Sequence, residues 1–484
     1  MSIMFDKLFR QFSQFYESFN PSYFIIAVVA FSQGVQHLAD LSINYMLKDD
    51  FGLSPAMMGL YLSYTTTPWI VKPFWGLITD SKPLFGYRRK SYIILFGIFD
   101  ALGWIALSKY GTDSLYSALL LLFLIQLSTC FVNVVGEAIL VEVAAQASRQ
   151  QTNFQHGASK NVSIFFGVRA FGTLISAFFS GALLHYFTKQ EIFMMTAAFP
   201  SLLVLVSFFY VEEKVDPRAL DQNDRRNNTM QCIKDFWTFF QNPLIYKPVA
   251  LIFCFMMAPS SSTIMFFFYT QVLGFEPSFL GQLKFVYALS TILGVLLYNN
   301  YLKDVPFKKI FITTTILYYF CYQSMIILVT RKNVEWGIND KFFCLGDSVM
   351  LQLVGELNLM PILVLACRMC PKNIEATMYA MLMSTINFGS TLGSQWGALF
   401  LILFGVNQND YSKLWLFIIV TGVFILMPLP WVGVVQEDKI LQSRDQQLAQ
   451  LKQKDCESDT VSTSNLRQED DQQQLLSENE QQKS

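Results

Sequence analysis

Of the 35 Lys and Arg residues in this sequence, Lys72, Arg169 and Lys284 fall well inside long apolar stretches. A cation at the middle of a bilayer costs about 2.5–3.5 kcal/mol on insertion scales, so it faces a partner, a water-filled cavity or a ligand. At the helical period of about 100° per residue, Lys72 lines up with Thr65, Pro68 and Gly76, and Arg169 with Thr173, Ser176 and Ser180. Both cations therefore sit on polar faces suited to an anionic ligand. Lys284 lies only a turn or two inside its stretch, and snorkelling to the interface is its expected role.

Polar stripes supply the complementary groups. Gln33, Gln36, His37, Asp40 and Asn44 share one face of the first stretch, and Gln126, Thr129, Asn133 and Glu137 share one in the fourth. Ser348, Gln352 and Glu356 align in the tenth, and Ser384, Asn387, Thr391 and Ser394 in the eleventh. Such stripes line a cavity or glue helices together by hydrogen bonds; the cavity reading is favoured. The expected solute contacts are Lys72, Arg169, Gln33, His37, Asp40, Asn133, Glu137, Gln352, Glu356 and Asn387. Glu137 and Asp40 are the expected proton-exchanging groups, because burial brings a carboxyl towards the working range. Asp80, Arg88 and Arg89, with Lys90, form a charged loop suited to gating, and Glu142, on the far side of its helix, fits a gating or structural role.

No catalytic constellation accompanies them. There is no phosphate-binding glycine loop, no H-E-x-x-H and no G-x-S-x-G, and His37, His156 and His185 are too dispersed for a metal cluster. Neither an enzyme nor a resident cofactor or metal is expected. Cys367 and Cys370 form a C-x-x-C with no second pair or nearby His, and the scattered cysteines do not make a disulfide framework.

The elements that must position these groups follow from composition. Hydrophobic residues make up 53% of 484 and charged ones 15%, with 46 Phe, which is the balance of a polytopic membrane protein. The apolar stretches are predicted helices, since lipid offers the backbone no hydrogen bonds. Twelve are expected, at 22–47, 55–79, 90–109, 114–147, 160–187, 190–211, 247–272, 277–302, 306–331, 342–368, 374–404 and 411–435. Pro68 and Pro73 predict a bend in the second, and Pro259-Ser-Ser-Ser-Thr263 a local break in the seventh.

A polar connector, 212–246, separates a first six-helix bundle (22–211) from a second (247–435). Ahead of them, 1–21 carries a helical apolar stripe suited to the membrane surface. Behind them, 436–484 is Gln-rich and acidic and is expected to be disordered. Lys and Arg gather in the loops after even-numbered spans (Arg88, Arg89, Arg225, Arg226, Lys308, Lys309) and are sparse in the others, so the even loops and both termini are expected in the cytosol. An acid followed by a basic cluster recurs after spans 2 and 8, a hint of internal duplication. Two related six-helix bundles flanking a central site form the major facilitator architecture, an all-α membrane fold of twelve transmembrane helices.

Three stretches carry a more specific resemblance: SQGVQHLADLSINYMLKDDFGLSP over 32–55, PWIVKPFWGLITDSKPLFGYRRKSY over 68–92, and LGDSVMLQLVGELNLMPILVLACRMCPKN with EATMYAMLMSTINFG over 345–389. They resemble the folate–biopterin transporter family, a branch of the major facilitator superfamily, and the likeness covers about 20–435. It implies secondary transport of an anionic, pteridine-like solute coupled to protons. On that reading the solute's carboxylates suit Lys72 and Arg169, and the 2-amino-4-oxo edge of a pterin suits Glu137 or Asp40. A monomer in a plasma or internal membrane, with no nucleic-acid partner, is expected. A same-fold porter for another organic solute such as S-adenosylmethionine, or a non-transporting sensor or channel, are the alternatives.

Overall fold

A computed structural model of the chain describes residues 21–150, 154–212, 214, 241, 243–302, 305–369 and 375–434. The expected surface helix at 1–21, nearly all of the connector and the tail lie outside these residues, as do the side chains of Asp80, Glu142, Cys367 and Cys370. Twelve helical segments run along the described chain: α1 over 21–50, α2 over 55–81, α3 Lys90–Tyr110, α4 Leu115–Gln150, α5 Phe154–Tyr186, α6 Lys189–Phe209, α7 over 243–272, α8 over 277–302, α9 over 307–329, α10 Asp340–Met369, α11 Glu375–Phe404 and α12 over 414–434. Number and order agree with the hydropathy pattern, and the largest shift is the start of α5, at Phe154 instead of 160. Among the described residues nine helices are long and apolar enough to cross a membrane; α2 and α7, which are interrupted, and the Ser-, Thr- and Gly-rich α11 complete the twelve.

The interruptions have local causes. Pro68 and Pro73 have no amide hydrogen to give, so α2 runs as Pro55–Thr65, a tight turn Thr67–Trp69, and Lys72–Ser81. The hydroxyls of Thr65, Thr66 and Thr67 donate back to the carbonyls of Leu62, Ser63 and Tyr64 at 2.8, 3.0 and 2.6 Å, which satisfies acceptors near the break. In α7 the chain leaves the helix after Met256 and resumes at Ser262, as Pro259 and its serines predict. Ser260 N then donates to Gly393 O of α11 at 2.9 Å. Gly389, Gly393 and Gly397, one turn apart on α11, let the broken backbone lie against that helix. A Cβ at any of them would come within 2.7 Å of α7 atoms.

The apolar packing is asymmetric. Near the ends of α1 and α2 around residues 46–58, one core cluster joins both halves: Met46, Leu47, Met58 and Trp104 pack in the same cluster as Ile264, Phe267, Leu328 and Phe417. Tyr45 and Phe266 meet across the seam there, ring centroids 5.3 Å apart. Towards the opposite, connector end the clusters are separate. Ile25, Val29, Ile93 and Val135 belong to the first half, and Val249, Ile252, Phe311 and Met381 to the second. Among the described residues, therefore, the halves share a core at one end only.

At the connector end the 82–90 loop is organised within its own half. Glu212 accepts from the backbone N–H groups of Arg88, Arg89 and Lys90 at 2.7–2.9 Å, an anionic cap on the start of α3. Lys90 Nζ in turn donates to Phe208 O and Tyr210 O, the last carbonyls of α6. The described contacts of Arg88 and Arg89 with named partners thus bind α3 to the end of α6.

Across the seam, α5 and α8 approach through Gly181 and Gly281; a Cβ on either would lie 2.7 Å from the other's Cα. Gly281→Val should therefore force the halves apart and destabilise the protein by about 1–3 kcal/mol. Thermal unfolding in detergent checks this: the midpoint should fall by several degrees, whereas Gly274→Ala, at a position with open space but positive φ, should cost less.

Candidate functional site

The α1 stripe divides as the helix changes pitch. Gln36–Ala39 is a 3-10 turn between two α-helical pieces, so side chains on either side of it diverge from a single face. Gln33 turns into the first half, where its Oε1 accepts from Asn133 Nδ2 of α4 at 2.9 Å, both residues buried. Gln36 bridges Asp100 of α3 and Thr129 of α4, donating to Asp100 Oδ2 at 2.5 Å and accepting from Thr129 Oγ1 at 2.8 Å. His37 and Asp40 turn to the seam, with side chains 47% and 43% exposed. Gln33 and Asn133, expected to line a cavity, bond to each other between α1 and α4, while Gln33 Nε2 and Asn133 Oδ1 are buried without a hydrogen-bond partner.

Ion pairing sorts the three cations. Lys72, 3% exposed, places Nζ at 2.8 Å from both carboxylate oxygens of Glu137 and 5.8 Å from the Trp69 ring centroid. The α2 break leads directly into Lys72, so the proline kink is what delivers this ammonium to α4. Glu137 and Lys72, expected as solute contacts and Glu137 also as a proton-exchanging group, are thereby engaged with each other. Lys284 does not snorkel. Its Nζ lies 3.4 Å from Asp40 Oδ2 in the other half, and His37 Nδ1 lies 3.2 Å from the same oxygen. Asp40, too, is a paired group, because the chain crossing of α1 and α8 brings a cation to it.

Arg169 differs from both. It is half-buried on α5, and no carboxylate pairs with it among the described residues. The polar residues aligned with it are spent on backbone: Thr173 on Arg169 O at 3.1 Å, Ser176 on Gly34 O at 3.0 Å, Ser180 on Ala177 O at 3.0 Å.

In the second half, Gln352 Nε2 donates to Thr291 Oγ1 of α8 at 2.9 Å and to Glu356 Oε1 at 3.2 Å. Glu356 is 9% exposed and has no cationic partner among the described residues. Asn387 Nδ2 donates to Trp69 O at 3.3 Å, and Ser384 to Ile70 O. These two residues of α11 cap the carbonyls that the α2 kink frees, which places Asn387 at the seam between the halves.

Two acids were missed by a search led by cations and stripes. Asp100 sits at the middle of α3, 2% exposed, and Asp347 lies two turns into α10, bonded by Ser324. The available signal was the acid itself: a lone carboxylate in an apolar helix carries the same cost as a lone cation.

Two six-helix groups about a polar seam, with charges from both halves meeting there, have the major facilitator fold. Solved transporters superpose on the chain. A nucleoside transporter, NupG, gives a TM-score of 0.64 at 12% identity over 86% of this chain and 100% of its own. A D-xylose–proton symporter gives 0.61 at 12% identity over 86% and 98%. The chain belongs to the BT1 family, whose profile matches residues 33–455, which bears out the resemblance carried by the three sequence stretches. Its relatives include the folate-biopterin transporter of Synechocystis, 36% identical over 86% of this chain and 82% of that one, and folate transporter 2 of Plasmodium falciparum, 32% identical over 87% and 90%. The protein is thus an integral multi-pass membrane transporter.

Removing one member of a buried ion pair leaves an uncompensated charge. Glu137→Leu should cost roughly 3–5 kcal/mol, while Lys72→Met with Glu137→Leu should recover most of it. Thermal unfolding of the two variants in detergent decides this; equal losses in the single and double variants would contradict the pairing.

Proposed function

We propose that this protein carries a folate or related pteridine-bearing anion across the membrane by alternating access, with a proton. Arg169 is the observation that carries the reading. Of the three mid-membrane cations it is the one no carboxylate pairs with among the described residues, and a guanidinium grips a carboxylate through two parallel hydrogen bonds. The solute's carboxylate takes the place of the missing protein acid. The family supports the solute class, since the relatives in Synechocystis and Plasmodium falciparum are named for folate or biopterin.

The pterin edge falls to a different acid from the ones expected. Its adjacent donors call for a carboxylate free of cations, and Glu356, with Gln352 beside it, meets that description better than Glu137 or Asp40. For the conformational cycle, the pair Asp40–Lys284, with His37, ties the halves near the end where their cores merge. With the basic loops in the cytosol, the separated end is the cytosolic one, and the opposite state requires this tie to part.

Uptake of radiolabelled folate into a folate- or pterin-auxotrophic host, with unlabelled pterins and unrelated organic ions as competitors, tests the reading. Arg169→Ala, present at the membrane, should lose at least tenfold in uptake, and Arg169→Lys should fall between it and the parent. Normal uptake by Arg169→Ala would remove the carboxylate clamp, and competition only by unrelated ions would remove the solute class. For the tie, Lys284→Asp or Asp40→Lys alone should depress uptake and the charge-exchanged double variant should restore part of it, a coupling read by a double-mutant cycle.

A further inference from the structure

Asp100 is a buried carboxyl group in the interior of an apolar helix. It lies at the eleventh of the 21 residues of α3, 2% exposed, and no Lys, Arg or His pairs with it among the described residues. Oδ2 accepts from Gln36 Nε2 at 2.5 Å and from Thr129 Oγ1 at 3.3 Å, while Oδ1 has no hydrogen-bond partner. The surroundings offer no charge from any packed element. On α1 the facing group is the neutral Gln36, and His37 beside it is turned to Asp40. On α4 the facing group is Thr129, and the nearest charged residue, Glu137, is about 12 Å further along the helix and engaged by Lys72. On α6 Thr196 is neutral and bonded to Ile192 O, and Glu191 caps the helix start with Thr188. On α3 itself Trp104 is the remaining polar neighbour. A carboxylate so placed has two ways to avoid an uncompensated charge: a cation, which the packing lacks, or a proton.

The contact through Gln36 gives that proton a consequence. Gln36 is the first residue of the 3-10 turn Gln36–Ala39, and the turn leads into Asp40, which Lys284 holds from the other half. While Asp100 is charged, it accepts from the Gln36 amide nitrogen. A hydronium ion that gives its proton to Oδ2, the oxygen facing Gln36, leaves water behind and turns that oxygen into a donor. The Gln36 carboxamide, now facing a donor, presents its oxygen, and the single Thr129 hydroxyl hydrogen turns from that oxygen to Ile125 O, 3.0 Å away.

We propose that Asp100 is a proton-binding site of the transport cycle and acts through Gln36 and the 3-10 turn of α1 on the Asp40–Lys284 tie between the halves. This rests on the proposed coupling of solute to protons and supplies its residue, in place of Glu137 and Asp40. Asp100 is enclosed at 2% exposure and bonded to Gln36 of α1, so its role is to position α1.

The test uses the full chain reconstituted in liposomes. Asp100→Asn, which fixes the protonated hydrogen-bonding shape, should keep solute counterflow within about threefold while losing accumulation driven by a pH gradient and flattening the pH profile. Asp100→Glu, which retains a titrating group, should keep a pH profile with a displaced midpoint. An unchanged pH profile and full accumulation in Asp100→Asn would make Asp100 a structural hydrogen-bond node and overturn the proposal. A readout that needs no solute separates this from failure of the transport reading. In a cysteine-free background, maleimide labelling of Tyr45→Cys, at the shared-core end, taken relative to the unfolded protein at each pH to remove the thiol's own titration, should vary with pH when Asp100 is present and become pH-independent with Asp100→Asn. Labelling equally pH-dependent in both, or in neither, would also overturn it. Should Asp100→Asn not fold, Gln36→Leu gives the second route, because it leaves Asp100 titratable but should uncouple labelling from pH.

Discussion

An ammonium buried in hydrocarbon must have a counter-charge, and Lys72 meets that requirement with both oxygens of Glu137 at 2.8 Å. Much of the first half is arranged around satisfying this contact. The pair joins α2 to α4 at the level where α2 is broken by two prolines, so the position of the break along α2 decides where the ammonium arrives. The break also frees two backbone carbonyls, those of Trp69 and Ile70, and these are taken up by Asn387 and Ser384 of α11 in the other half. One sequence feature thus sets an intra-half ion pair and an inter-half hydrogen-bonded seam. Neither could form with a straight helix, because a continuous α2 would keep those carbonyls for itself.

The second half answers with its own interruption. The α7 break leaves backbone groups without helical partners inside a membrane, a situation tolerated only where protein covers them. Three glycines on α11 make that cover possible by admitting the α7 backbone at a distance no side chain would allow. α11 therefore contacts broken helices on both sides, α2 through polar side chains and α7 through the lack of side chains. Its mixed Ser, Thr, Asn and Gly character, unsuited to facing lipid, is explained by these two neighbours.

Charge accounting at mid-membrane then separates structure from function. Lys72 with Glu137 and Lys284 with Asp40 are closed pairs, the first buried within a half, the second half-exposed across the seam. A pair within a half can persist through a rigid-body movement of the halves, whereas a pair across the seam near the shared core cannot. Among the described residues the groups left over are one cation, Arg169 on α5, and three acids, Asp100 on α3 and Asp347 and Glu356 on α10. A solute anion and a transferable proton are the mobile charges that would complete such a set, and the leftover groups lie on different helices, α5, α3 and α10.

Hydropathy by itself determined the twelve spans, the two halves and the proline breaks, because each of these follows from what a segment can do without long-range partners. Three motifs in sequence were enough for the family. The cations were legible for the same reason, since the cost of Lys72 or Arg169 in lipid is a property of the residue and its span. What the sequence left open was pairing. The α1 stripe reads as one face at 100° per residue, but the 3-10 turn at Gln36–Ala39 splits it into a buried edge, Gln33 and Gln36, and a seam edge, His37 and Asp40. Lys284 reads as a snorkelling residue until the crossing of α1 and α8 brings Asp40 within 3.4 Å. Only tertiary structure could decide these, because whether a charge is a ligand contact or half of an ion pair depends on a partner that here stands 65 residues away along the chain for Lys72 and 244 for Lys284.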